Sequence, residues 1–185
     1  MADTNKVTYG LSNVHYALFN ENAGTYETPV ALPGGVNLSL EQQGETSVFR
    51  ADNLDYWTSV SNNGYEGDLE VAKVTDAFLT DVLKFATDST TGLLYELADA
   101  QPAAFALLFQ FEGDATATRH VMYNCKATRP SVASATTPEG AIEPQTATMS
   151  IKASARPQDN VVKARAVPTD ACYNTFFTTV PVPTV

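Results

Sequence analysis

Residues 61–88, SNNGYEGDLEVAKVTDAFLTDVLKFATD, followed at residues 104–111 by AFALLFQF, decide how this chain folds. The first stretch passes from a strand-like segment into one with apolar residues at helical spacing, and the second is an apolar run of strand length. Within residues 76–86, the side chains Phe78, Leu79, Val82, Leu83, Phe85 and Ala86 fall in an arc of about 160° at 100° per residue, which predicts an amphipathic helix. Thr75 suits its N-cap, and Asp76 suits the positive end of the helix dipole. In the second run, Phe105, Leu107, Phe109 and Phe111 share one face and Ala104, Ala106 and Leu108 the other. Both faces need cover: one is expected to meet the core, the other the helix or another subunit.

Outward from this centre, period-two alternation dominates. Val36, Leu38 and Leu40 alternate with Asn37, Ser39 and Glu41 after the turn signal Pro33-Gly34-Gly35. Ala147, Met149, Ile151, Ala153 and Ala155 alternate with Thr146, Thr148, Ser150, Lys152 and Ser154. Further strands are predicted at residues 7–19, 47–50, 56–61, 69–74, 93–97, 119–129 and 161–167. The expected class is mainly β, an antiparallel sandwich or barrel with one flanking helix.

Two segments stand apart. Residues 42–64 read as a long hairpin turning near residues 51–54, with Val48, Phe49, Leu54, Tyr56, Trp57 and Val60 among Gly, Asn, Ser and Asp. A lone two-stranded hairpin is marginal in water, so Phe49, Leu54, Tyr56 and Trp57 are candidate contacts with another subunit or ring. The alternative is that Phe49 and Trp57 fold back onto their own domain. Residues 131–145, rich in Ser, Thr, Pro and Ala, read as a long loop, with a short irregular edge strand as the alternative.

Composition narrows the classes of function. A chain of 185 residues, 44% hydrophobic and 17% charged, fits one domain over residues 1–185 that buries roughly 70% of its unfolded surface. No apolar run approaches the roughly 20 residues of a membrane span, and MADTNKVTYG lacks the pattern of a signal peptide, so folding in a cytoplasm is expected. Cys125 and Cys172 imply no disulfide framework and read as two buried thiols. The net charge of -10 opposes tight binding to nucleic acid, whose phosphates are held by Lys and Arg. Residues 1–118 carry 4 basic against 17 acidic side chains, and residues 119–185 carry 7 against 4. This asymmetry could draw subunits together.

Motifs that carry chemistry are missing. There is no phosphate-binding glycine loop, nucleophile elbow, zinc spacing or calcium loop, so no catalytic residue, cofactor or metal is expected. His15 and His120 read as packing or surface residues of strands. The spacing of His120 and Cys125 predicts opposite faces of one strand, against a nucleophile and base pair. Glu66, Asp68 and Glu70 share one strand face, read as a solvated or lumen-facing acidic strip rather than a pair of catalytic carboxylates. The sequon at Asn37 reads as chance.

The stretches 65–72 YEGDLEVA, 104–109 AFALLF, 119–125 RHVMYNC, 129–132 RPSV and 142–146 IEPQT, in this order, resemble the major tail protein family of long-tailed, non-contractile bacteriophages and their prophages. The resemblance runs from 6–11 KVTYGL to Tyr173, Phe176, Phe177 and Val180, and departs most at Pro181-Val182-Pro183. It implies a tail tube subunit with a tail tube-like fold: rings of six copies stack into a hollow tail through which DNA leaves the capsid. The implied partners are further copies of the chain, a tape-measure protein, the tail initiator or baseplate and the tail terminator. DNA would be a passing cargo and no membrane would be involved. The implied location is the virion, with assembly in the host cytoplasm. In such a tube, joined neighbouring strands leave no open sheet edges, and heterologous contacts stack rings without a natural end. About -60 per ring would keep DNA sliding rather than sticking. Thr146, Thr148, Ser150, Lys152 and Ser154 are then candidate lumen-facing residues, with an ordinary solvent-facing strand as the alternative. A tube protein of a contractile injection system, and a capsid-decorating or carbohydrate-binding β-sandwich, are the alternatives.

Overall fold

Phe105, Ala106, Leu107 and Leu108 are fully removed from solvent in the computed structural model, so the apolar run at residues 104–111 lies at the centre of the molecule. The structure describes residues 7–136 and 144–184. In chain order the elements are β1 (Leu11–Asn20), β2 (Thr25–Tyr26), β3 (Val30–Ala31), β4 (Gly35–Gln42), β5 (Thr46–Ala51), β6 (Leu54–Val60), β7 (Tyr65–Val71), α1 (Asp76–Asp81), β8 (Ala86–Thr87), β9 (Leu94–Tyr95), β10 (Phe105–Phe111), β11 (Arg119–Ala127), β12 (Ala147–Ala153) and β13 (Lys163–Ala166). The main sheet has the order β2-β1-β10-β11-β12-β7-β4, with β3 added on β1 and β13 on β11. Its pairings are antiparallel, and β5–β6 and β8–β9 are separate two-stranded pairs. The protein is mainly β with one short helix, as its alternation predicts.

The sheet curls until β4 returns towards β1. A Cβ built on Gly35 would lie 2.9 Å from Val14 Cγ2, so any larger residue would have to push Val14 aside where the two strands meet. Inside the curl sit Tyr16, Leu69, Val71, Phe105, Leu107, Phe109, Met149 and Ile151. Helix α1 adds Phe78, which meets the rings of Tyr16 and Phe105 edge-on at 5.0 and 5.8 Å between centroids. The Tyr16 hydroxyl donates to Asp81 Oδ2 at 3.0 Å, fastening β1 to the helix. Burial, then the bond to Asp81, push the Tyr16 phenol well above its ordinary range.

The helix is shorter than its apolar arc predicts. Thr75 caps it by accepting from Phe78 N–H at 3.3 Å, but the last helical residue is Asp81. Lys84 takes a positive φ of 61°, and Phe85 N–H reaches back to Leu79 O at 3.0 Å, so the chain leaves the helix through a left-handed residue. Val82 and Leu83 still reach the core from this turn, so the apolar stripe is used although the helix is not continued.

Other boundaries move for local reasons. β1 starts at Leu11 rather than residue 7, and the strand predicted at residues 93–97 shrinks to Leu94–Tyr95. A register shift between Gly35 and Asn37 turns Val36 out to solvent, while Leu38 and Leu40 keep the inward face. Residues 131–136 are exposed and irregular, and the rest of the loop predicted at residues 131–145 lies outside the described residues at 137–143.

The second face of β10 is covered by neither the helix nor a partner. Ala106 and Leu108 join Ala17, Val121 and Tyr123 in a second core, closed by Phe176 and Val180 from the chain's own C-terminal segment. Tyr123 OH donates to Pro181 O at 2.5 Å and Tyr173 OH to Ala117 O at 2.8 Å. The Arg119 guanidinium donates to Tyr173 O and lies 3.9 Å above the Tyr173 ring centre and 4.8 Å from that of Phe177. Arg156 is buried beside this core, with its guanidinium 4.7 Å from the Tyr123 ring centre and its Nε donating to Asp159 Oδ1 at 3.0 Å, so its charge is paired.

Candidate assembly surfaces

The β4–β7 ladder does not stop at the body of the sheet. Gln43 N–H donates to Gly64 O and Ser61 N–H to Glu45 O, which carries the pairing into β5 and β6 and makes one long ribbon. Gly64, with φ of 91°, permits the departure: a Cβ there would lie 2.0 Å from Ala153 O. At the far end, Asp52 and Asn53 both have positive φ, 52° and 64°, between the paired residues Ala51 and Leu54. This is the two-residue turn with positive φ at both central positions whose twist suits a hairpin. The turn predicted near residues 51–54 is therefore present.

Register sorts the hairpin's side chains. Phe49 opposes Trp57 and Ala51 opposes Leu54. A register shift between Phe49 and Arg50 leaves Tyr56 as the extra residue, beside the Arg50–Asp55 ion pair of 3.0 Å. Through these pairs and the period of two along β5, Phe49, Trp57 and Leu54 lie on one face. Three of the four candidates therefore share a face, and Tyr56 sits at the irregularity between them. Relative exposures of 60% for Phe49, 69% for Leu54, 74% for Tyr56 and 57% for Trp57 overturn the alternative that Phe49 and Trp57 fold back onto their own domain.

A second surface is the outward face of β4, β7 and β12. Glu70, Asp68 and Glu66 oppose Thr148, Ser150 and Lys152 on one side and Asn37, Ser39 and Glu41 on the other. Ser150 Oγ donates to Asp68 Oδ1 at 2.6 Å, Thr146 Oγ1 donates to Glu70 Oε1, and Lys152 Nζ lies 3.4 Å from Glu66 Oε2. Lys126 of β11 pairs with Lys152, so cations flank the acids on the β12 side. The polar strip at residues 146–152 and the acidic strip of β7 were separate in sequence, and register makes them one polar face. Ser154 is not part of it: beyond the end of β12 it is half-buried, with Asn124 Nδ2 donating to its Oγ at 2.9 Å. Asn37, Ser39 and Glu41 belong to this face and were missed as site residues; their alternation with Leu38 and Leu40 was the available signal.

Groups with chemical reactivity are dispersed. His15 stacks on Phe177, and His120 stacks on Phe109 at 5.4 Å. Asn124, with φ of 46°, forms a bulge in β11 where Phe105 pairs with Cys125 and Leu107 with Met122. The bulge resets the alternation and puts Cys125 on the same side as Met122 and His120, correcting the expected opposite faces. Even so, their partners Phe109 and Phe105 are four residues apart on β10, roughly 13 Å along the strand, too far for a nucleophile and base. Burial pushes the Cys125 thiol up to about 12, which keeps it a neutral packing group. Cys172 is free and only half-buried, so the expectation of two buried thiols holds for Cys125 alone. Among the described residues no three His, Cys, Asp or Glu side chains gather as a metal site, and no helix is long and apolar enough to cross a membrane.

No family model matches the chain, and no curated protein matches it. Among solved structures it is similar to a chain of the anti-feeding prophage baseplate, determined by cryo-electron microscopy with 6-fold symmetrisation. The identity is 14%, over 89% of this chain and 97% of that one, with a TM-score of 0.46.

Proposed function

We propose that this chain is a structural subunit of a phage-type tail tube, without enzymatic activity, acting as one domain. Copies form rings, the hairpin of β5 and β6 joins one ring to the next, and DNA passes through the lumen. The observation that carries this reading is the hairpin itself: a ribbon extends the β4–β7 ladder into solvent and presents Phe49, Leu54 and Trp57 on one bare face. A ribbon of this kind needs a partner surface. The sequence resemblance to major tail proteins supports the same reading.

The polar face of β4, β7 and β12 fits a lumen wall. Its hydroxyls bond to its own carboxylates, and Glu41, Glu66, Asp68 and Glu70 repel phosphate within about a Debye length, near 10 Å at 0.1 M salt. Thr146, Thr148, Ser150 and Lys152 would face passing DNA in this arrangement. The remaining partners of a tube, the tape-measure protein, initiator and terminator, follow from the same proposal, as does a place in the virion tail.

Size-exclusion chromatography and negative-stain electron microscopy across a concentration series test it. Rings or hollow tubes are expected. Particles that stay monomeric at every concentration, even when tail-initiator complexes are added as seeds, would overturn the tube reading. Trp57→Ala is expected to leave the monomer folded and to block tube growth; a variant that polymerises normally would remove the hairpin from the contact.

A further inference from the structure

The hairpin leaves the sheet at Tyr65, the first residue of β7, and the other end of β7 is Val71. A second exposed apolar cluster lies at that other end. Thr148 pairs with Glu70 and accepts from Ser131 N–H at 2.9 Å, which places the chain just after β11 beside the Val71 end. Arg129, in that stretch, forms an ion pair with Glu96, and Ala103 N–H donates to Val82 O at 2.8 Å. Residues 86–101 are thus anchored at the end of the sheet opposite the hairpin.

Within this segment the side chains alternate. Leu94 is half-buried and Glu96 is held by Arg129, whereas Leu93, Tyr95 and Leu97 face solvent at 64%, 40% and 46% exposure. The β8–β9 pairing of Thr87 with Leu94 and Ala86 with Tyr95 holds Tyr95 in place, and Leu93 and Leu97 flank it two residues away on either side, both exposed. Two bare apolar clusters at opposite ends of one subunit are what a head-to-tail contact requires, since each copy must offer two different surfaces. Each cluster also sits beside an ion pair satisfied within its own subunit, Arg50–Asp55 and Arg129–Glu96, so neither pair brings an uncompensated charge to the contact.

We propose that the cluster of Leu93, Tyr95 and Leu97 is the socket for the Phe49, Leu54 and Trp57 face of the hairpin of a second copy in the adjoining ring. This rests on the tube reading above and names the surface that the hairpin meets. The contact is polar along the tube axis, with hairpins pointing one way and sockets the other.

Two variants test it, Leu93→Asp with Leu97→Asp in the socket and Leu54→Asp with Trp57→Asp in the hairpin. All four side chains are exposed, so both variants should keep the wild-type melting temperature. Each alone should lose tubes, raising the concentration for tube growth by about tenfold or more. An equimolar mixture retains one competent contact, between the intact hairpin of the socket variant and the intact socket of the hairpin variant. It should give joined units that do not lengthen. If charge destabilises either variant, Leu54→Cys with Leu97→Cys in a Cys172→Ser background decides. Oxidised under assembly conditions, it should yield a ladder of covalent dimers, trimers and longer chains, because the two cysteines of one copy lie at opposite ends. A socket variant that forms tubes at the wild-type concentration, or a cysteine pair that gives no ladder within intact tubes, overturns the socket and leaves the tube reading standing. A wild-type protein that forms neither rings nor tubes overturns both.

Discussion

Strand β10 and the β5–β6 hairpin carry similar side chains and meet opposite fates. FALLFQF in β10 has a hydrogen-bonded neighbour on each edge, and from Phe105 to Phe109 it is buried, with the main core on one side and the second core on the other. The hairpin holds Val48, Phe49, Leu54, Tyr56, Trp57 and Val60, and all six are exposed. Apolar content fixes how much cover a segment needs, while topology fixes whether the chain can supply that cover itself. For β10 the cover comes from α1 inside the curl and from Phe176 and Val180 outside it. The hairpin gets no such cover from its own chain, and the cover proposed for it is a second copy.

The sharpest way to break this comparison is to remove one aromatic ring from each region. Phe105→Ala opens a void among Tyr16, Phe78 and Leu107 and should lower the unfolding free energy by about 3–5 kcal/mol, measured by denaturant titration. Trp57→Ala should stay within about 0.5 kcal/mol of wild type in the same titration. A comparable loss for both would mean that the hairpin belongs to the fold rather than to an assembly, and the contrast would collapse.

A smaller effect sharpens the account of β10's outer cover. Phe176→Ala should cost about 3 kcal/mol, the low end for such a change, because Phe176 comes from a segment of turns that can settle over the gap. Leu108, beneath it, would be the residue uncovered. No measurable loss would show that the C-terminal segment is an accessory rather than a wall of the second core.

These regions also differ in how far they could be read in advance. The two faces of β10, the alternation of β12, the cap at Thr75 and the hairpin turn each depend on neighbours a few residues away, and these were legible. The early end of α1 was not, because Lys84 adopts a left-handed conformation that its residue type does not announce. Nor was the shared face of His120 and Cys125, since the Asn124 bulge inserts one residue into an otherwise regular alternation. The polar face was visible only in pieces. Ser39, Asp68 and Ser150 come from three strands whose register no local pattern specifies, and the cover of β10 by Phe176 joins residues about seventy positions apart.

The smallest expected effect separates the two regions by pH. His120 is half-buried against Phe109 and Phe111, and its imidazole is held below the ordinary value of 6.5. Burial is the main cause. Arg165 and Lys163 push the same way, and Asp114 opposes them. A lowered folded pKa means that the unfolded chain takes up a proton first as the medium is acidified. The stability from neutral His120 is therefore present in full above pH 6.5 and is lost as pH falls from there through the folded value. His120→Phe, which keeps an aromatic ring on Phe109, should flatten that part of the profile of melting temperature against pH. The hairpin contains no histidine, so tube growth by the His120→Phe variant at pH 7 should match wild type. A variant whose melting profile keeps the wild-type slope between pH 6.5 and 5 would remove His120 as the source of that acid sensitivity; Asp114 and Asp159, whose hydrogen bonds hold them below the usual range, give up their contribution only as pH falls through the ordinary carboxylate value of 3.8 and lower. A variant that melts normally but no longer polymerises would place the His120 rim of the sheet in the assembly contact and end the separation between a self-sufficient core and a dependent hairpin.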